Sequence, residues 1–108
     1  MRARYWQKGE VLDYKNETEE IIPENTAVLI GSRLGVTETL IAPGEIGSLH
    51  ITGAFELEKA AEKIEIGQIV YYDADADKIT VTAGSNVQVG FAAASFEEEE
   101  TKVLVKIG

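Results

Sequence analysis

The sequence predicts a mainly β domain, a small β-barrel or sandwich of about eight short strands with one short helix near residues 57–64. Three observations carry this expectation. Apolar residues mostly recur with a period of two, glycines fall at the breaks between short apolar runs, and a single segment shows helical spacing instead. Turn signals separate the runs at intervals of about eight to twelve residues, the rhythm of a small all-β architecture.

Taken in chain order, residues 1–8 read as an arm and residues 9–108 as a single β domain. Ala27-Val28-Leu29-Ile30 is apolar on both faces, as expected of a strand covered from two sides. Leu49 and Ile51 point opposite to Ser48, His50 and Thr52. Between Phe55 and Ile64, the residues Leu57, Ala60, Ala61 and Ile64 follow helical spacing, with Glu and Lys as good helix formers beside them. A helix of one or two turns would depend on packing, being too short to stand alone. Ile69-Val70-Tyr71-Tyr72 is a second run expected to be covered on both faces. Ile79 and Val81 alternate with Thr80 and Thr82, and Val87, Val89 and Phe91 with Gln88 and Gly90. Val103, Val105 and Ile107 share the last strand's inner face, with Lys102, Leu104 and Lys106 on the other. No internal repeat, low-complexity tract or linker divides the chain.

Composition narrows the function classes. The 108 residues contain no cysteine, which excludes a disulfide framework, a thiol nucleophile and thiolate metal sites. No apolar run approaches the roughly 20 residues of a membrane span, and the basic start lacks the apolar stretch of a secretory signal, so synthesis in a cytoplasm is expected. Ten Lys and Arg against 19 Asp and Glu give a net charge of −9. Such a molecule repels nucleic acid and anionic membrane surfaces, so neither is expected as a partner. The charge is unevenly placed: Arg2, Arg4 and Lys8 precede the first acid, Glu10.

The candidates for chemistry are few. Asp73-Ala74-Asp75-Ala76-Asp77 resembles the start of a calcium loop, but Lys78 and Gly84 stand where an EF-hand needs Gly and Glu. A polar hairpin turn is the better reading. His50 is the only histidine; Ser48 lies on the same strand face, yet a triad would still need an orienting acid and an oxyanion hole, so a solvent-facing or interface role is expected. A lone histidine without cysteines also makes a zinc site a poor reading, and no metal or other cofactor is expected. Gly31-Ser32-Arg33-Leu34-Gly35 lacks both phosphate-loop spacings and reads as a turn. Glu97 to Glu100 read as a solvated loop. The feature with a functional edge is the arm: Arg2, Arg4, Tyr5 and Trp6 combine the residue types favoured at interface anchors. The alternative is that Tyr5 and Trp6 begin the first strand or cap the barrel end.

In order and spacing, six blocks resemble the small capsid-cement (head decoration) proteins of phages and prophages. They are Gly9-Glu10-Val11-Leu12-Asp13-Tyr14 with Asn16 and Thr18, then Gly35-Val36, then Ile41-Ala42-Pro43-Gly44-Glu45-Ile46-Gly47. Gly53-Ala54-Phe55-Glu56-Leu57-Glu58-Lys59-Ala60, Ile66-Gly67-Gln68-Ile69-Val70-Tyr71-Tyr72-Asp73 and Val89-Gly90-Phe91-Ala92 complete the set. Pro23-Glu24-Asn25 and the Arg-rich start depart from the pattern. The resemblance implies a non-enzymatic protein on the exterior of the virion capsid, bound where subunits of the major capsid protein meet and clamping them against internal DNA pressure. It implies a homo-trimer on local three-fold axes. Arg2, Arg4, Tyr5 and Trp6 would then form a capsid-binding arm. Two rival classes are a small-ligand-binding β-barrel or other prophage-encoded β interaction module, and an enzyme using His50 or the Asp73–Asp77 turn.

Overall fold

Nine antiparallel strands form two sheets, and there is no helix. The computed structural model describes all residues, 1–108. The first sheet holds β1 (Val11–Lys15), β2 (Ala27–Ile30), β3 (Arg33–Thr37) and β4 (Ile46–His50), in the order β1-β4-β3-β2. The second holds β5 (Gly53–Glu58), β6 (Ile69–Asp73), β7 (Lys78–Thr80), β8 (Val87–Ala92) and β9 (Lys102–Ile107), in the order β5-β9-β8-β6-β7.

The helix expected near residues 57–64 is replaced by the end of β5 and an irregular crossing. All six residues of β5 pair with β9, setting Phe55 opposite Val105 and Leu57 opposite Val103. Phe55 and Leu57 turn inward while Ala54, Glu56 and Glu58 face solvent. A one-turn helix must meet the full nucleation cost for few hydrogen bonds. The strand instead gains a complete ladder and covers Val103 and Val105, so tertiary pairing overrides the local propensity of Glu, Lys and Ala.

The two sheets share one plan. In each, the first strand pairs with the last, the last with the one before it, and that strand with the second: β1-β4-β3-β2 matches β5-β9-β8-β6, with β7 added beside β6. Isolated bridges recur at matching places, Ile22 with Ile41 and Ile64 with Phe96. A turn recurs too. Glu45 N–H donates to the Ala42 carbonyl at 3.0 Å and its carboxylate accepts from Ala42 N–H at 3.1 Å. Gln68 with Glu65, and Glu100 with Glu97, repeat both bonds. The expectation of no internal repeat is therefore corrected at the level of structure. What recurs is a pairing scheme and a Glu or Gln at the fourth turn position; strand pairing tolerates many side chains, so little else needs to repeat.

Lys59 bridges Ile79 in parallel, and Ala60 N–H donates to the Ile79 carbonyl at 2.9 Å, drawing the two edges of the second sheet together into a barrel-like curl. The main core fills it. Eight of its ten residues come from this half (Ile64, Val70, Ile79, Val89, Ala92, Val103, Val105 and Ile107), and Leu34 and Val36 of β3 close it from the first sheet. Val103, Val105 and Ile107 are all fully buried, as their alternation requires. Each such side chain contributes about 1.5–3 kcal/mol relative to exposure. Ile41 and Leu49 are buried on the other face of the first sheet.

Three alternation readings need correction. β2 is an edge strand with Leu29 exposed, and Ile69 of β6 is half exposed, so neither run is covered on both faces. Val89 is buried, whereas Phe91, expected beside it, is 45 % exposed and Ala92 is buried instead. The cause is a β-bulge: Val70 pairs with Gly90 but Tyr71 with Gln88, leaving Val89 as an extra residue. One extra residue exchanges the two faces of everything beyond it. Gly90 sits at φ +151°, and a Cβ there would lie 1.9 Å from the Lys106 carbonyl oxygen, so only glycine fits.

Candidate binding surface

Residues 1–9 belong to no strand and residues 1–8 are exposed. The arm leads into β1, an edge of the first sheet, and Gln7 Nε2 donates to the Val11 carbonyl at 2.8 Å. Tyr5 and Trp6 are 80 % and 78 % exposed, so they neither start the first strand nor cap the barrel. Of the four arm residues singled out in the sequence, the structure brings two together: the Arg4 guanidinium lies over the Trp6 ring, 5.5 Å from its centroid. Such a contact contributes about 0.5–1 kcal/mol at an exposed site and holds the aromatic and cationic groups as one unit. Arg2 and Arg4 make no ion pair; the three present are His50–Glu38, Lys63–Glu65 and Lys102–Glu58. The arm carries three cations (Arg2, Arg4, Lys8), which leaves the body with seven cations against 19 acids, a net −12.

The remaining sequence candidates have structural occupations. Asp73 to Asp77 form the β6–β7 hairpin turn, in which the Asp73 carboxylate accepts from the backbone N–H of Asp75 and Ala76 at 3.1 and 3.3 Å. Asp77 takes the left-handed conformation at φ 55° and accepts from the Tyr72 hydroxyl at 2.5 Å. Burial first, then the hydrogen bond to Asp77 and the charges of Asp77 and Asp73, push the Tyr72 hydroxyl from its ordinary 10 up to about 12. No group of three or more His, Asp or Glu side chains is placed to hold a metal ion. His50 lies 3.4 Å from the Glu38 carboxylate and packs its ring against Phe55, with centroids 5.8 Å apart. Gly31 and Ser32 make the β2–β3 hairpin turn. Glu97 and Glu100 cap one another in the turn before β9.

Two features of the body escaped the sequence. Leu34, Leu57, Ile79 and Tyr72 line an open cleft of about 370 Å³ whose other walls include Glu56, Asp77 and Lys78. A second hollow of about 250 Å³ lies against the bulge, between Arg33 and the cross-strand pair Ile69–Phe91, with Gln88, Val89, Gly90 and Gly108 completing its lining. Strict alternation points Phe91 inward, so only the bulge reveals this second surface. The Val-Gly pair in β8 was the one available signal.

No curated protein and no solved structure matches the chain. A family model described as phage cement protein matches residues 6–107, which takes in Trp6, both sheets and all nine strands and omits only residues 1–5 and Gly108. With nearly every residue matched, from the end of the arm through β9, the chain belongs to the phage cement protein family.

Proposed function

We propose that this protein attaches to the outside of the assembled phage head, at contacts between subunits of the major capsid protein, and stabilises the shell there. The observation that carries the reading is the family match across residues 6–107. A cement protein acts by binding the assembled lattice in preference to free subunits, so mass action alone shifts the shell toward the assembled state. That work needs no bond-breaking chemistry. The body, residues 9–108, serves as a rigid block whose negative charge keeps virions apart. The arm, residues 1–8, is the grip: Tyr5 and Trp6 anchor on the shell while Arg2 and Arg4 pair with its carboxylates. Three copies around a local three-fold axis would multiply weak contacts through effective concentration.

Removal of residues 2–7 tests this directly. The arm makes one side-chain hydrogen bond to the body, from Gln7, so thermal unfolding is expected to stay unchanged. Affinity for expanded, cement-free heads of the encoding phage is expected to fall about 30-fold or more, as for loss of a hot spot. Saturation of those heads at the wild-type concentration would refute the arm as grip. Electron microscopy of decorated heads reads the copy number and position.

A further inference from the structure

We propose that the open edge of β2 and the cleft beside it form a strand-addition site for the head, resting on the cement reading above. Its occupant is an extended segment of the capsid lattice that pairs its backbone with Ala27 and Leu29 and sets an apolar side chain into the cleft.

The two sheets leave four edge strands, β1, β2, β5 and β7. Open edges invite unwanted pairing, and folded proteins protect them with charge, proline, bulges or a covering segment. Three of the four are protected here. β1 carries Asp13 and Lys15, and the Gln7 side chain holds its Val11 carbonyl. β5 and β7 are drawn together through the Lys59–Ile79 bridge. β2 is bare: Ala27-Val28-Leu29-Ile30 has no charge, proline or bulge. It has the composition of a strand covered on both faces, yet Leu29 is exposed.

The pairing with β3 fixes which groups are unused. Thr37 N–H donates to the Thr26 carbonyl, so Thr26, Val28 and Ile30 face β3 and the backbone of Ala27 and Leu29 faces outward. No backbone group of the chain meets those outward donors and acceptors. A row of this kind matches an extended chain. Beside it lies the cleft of about 370 Å³, and Ala27 is part of its wall. A strand added to β2 would lie about 4.8 Å away and send alternate side chains over Leu34, Leu57 and Ile79. Backbone pairing at an edge, with a pocket for alternate side chains, is a recurrent mode of segment recognition. The apolar floor asks for an apolar side chain there.

Size and family decide the partner. A lasting contact between two proteins takes about 20–30 residues a side. The edge offers 4 residues and a narrow apolar floor, too little to hold a second copy by itself. On a head the same contact adds to the arm's and recurs in every copy, so small contacts suffice. Membership of the phage cement family makes the head that partner.

The experiment titrates wild-type protein, Leu29→Lys and Ala27→Pro onto cement-free expanded heads of the encoding phage, with thermal melts as the check on folding. Mass spectrometry follows amide exchange over residues 26–30, free and head-bound. Ala27→Pro removes an outward donor and no ladder bond, and Leu29→Lys puts a charge on the edge. Each is expected to weaken binding about 10-fold or more, with the melt close to wild type. The amides of Ala27 and Leu29 are expected to exchange fast in the free protein and slowly on the head. If Ala27→Pro lowers the melt, Leu29→Lys and the exchange carry the conclusion. Wild-type affinity for Leu29→Lys, or unchanged exchange on the head, overturns the inference and leaves the cement reading standing. Slow exchange that appears when the free protein is concentrated, and is lost in Leu29→Lys, assigns the edge to a second copy and also overturns it. Failure of wild-type protein to bind any head removes the cement reading, and the inference with it.

Discussion

Asn16 and Lys59 occupy matching places in the two halves of the molecule, each directly after the first strand of its sheet. Asn16 N–H donates to the Glu45 carbonyl just before β4, and Lys59 N–H to the Thr101 carbonyl just before β9. Both side chains are buried and both stitch loops together through backbone carbonyls. Asn16 Nδ2 donates to Glu20 and Ile41 at 2.7 and 2.9 Å while its oxygen accepts from Thr18. Lys59 Nζ donates to Ala60, Glu62 and Glu98 at 3.0, 2.6 and 3.5 Å. The first half uses a neutral amide that closes a local loop and ties it to the distant Ile41 carbonyl. The second uses a cation that ties two loops, one of them in the acidic Glu97–Glu100 turn. The difference shows that the shared plan demands a buried donor at this point and leaves its chemistry free.

Gly35 of β3 and Gly90 of β8, in corresponding strands, give the largest expected contrast. A Cβ on Gly90 meets the Lys106 backbone, which cannot yield without breaking the β8–β9 pairing, so Gly90→Ala should cost at least about 3 kcal/mol. A Cβ on Gly35 meets the buried Leu49 side chain at 2.5 Å and the His50 carbonyl oxygen only at 3.2 Å, so Gly35→Ala overpacks a side chain more than paired backbone and should cost about 1–3 kcal/mol. Urea unfolding of the two variants measures both, and equal losses would remove the backbone argument. Next come the stitches. Lys59→Met keeps the apolar stem but leaves three carbonyls without their charged donor, an expected loss of about 2–3 kcal/mol. Asn16→Ala removes neutral bonds only and should cost about 1–2 kcal/mol. The reverse order in denaturant midpoints would mean the cation is not the stronger stitch.

The smallest effect belongs to the β6–β7 hairpin, whose second strand has no counterpart in the first sheet. Tyr72 titrates near 12 in the folded protein and near 10 when unfolded, so the folded state holds its proton more tightly. The resulting stabilisation is fully present below pH 10 and is lost as pH rises from 10 to 12. Tyr72→Phe should cost about 0.5–1 kcal/mol at neutral pH through the lost bond to Asp77. It should also flatten that alkaline decline in stability, read by urea unfolding at several pH values. An identical decline in the variant would assign it to other groups.

Much of the fold was legible because burial follows period two wherever a strand is regular. Val103, Val105 and Ile107 show this in full, as do Leu49 against Ser48 and His50. Reading failed where the chain departs from local rules. At residues 57–64, helical spacing of Leu57, Ala60, Ala61 and Ile64 competed with a ladder to β9 that lies over 40 residues away in sequence. In β8 a single extra residue exchanged the faces, so Phe91 became surface. The exposure of the basic, aromatic start agrees with its charge and aromatic content, since neither depends on pairing.

By itself the sequence determined the mainly β character, the basic start ahead of an acidic remainder, most of the turns and the family. Each follows from composition, spacing or residue order, which are properties of the chain read locally. Only the tertiary structure decided that the two sheets repeat one plan, that Lys59 is a buried stitch, and that Arg33 meets Ile69 and Phe91 across a hollow. Those outcomes depend on which distant strands pair and in what register, and one residue's shift in register turns a core side chain into a surface one.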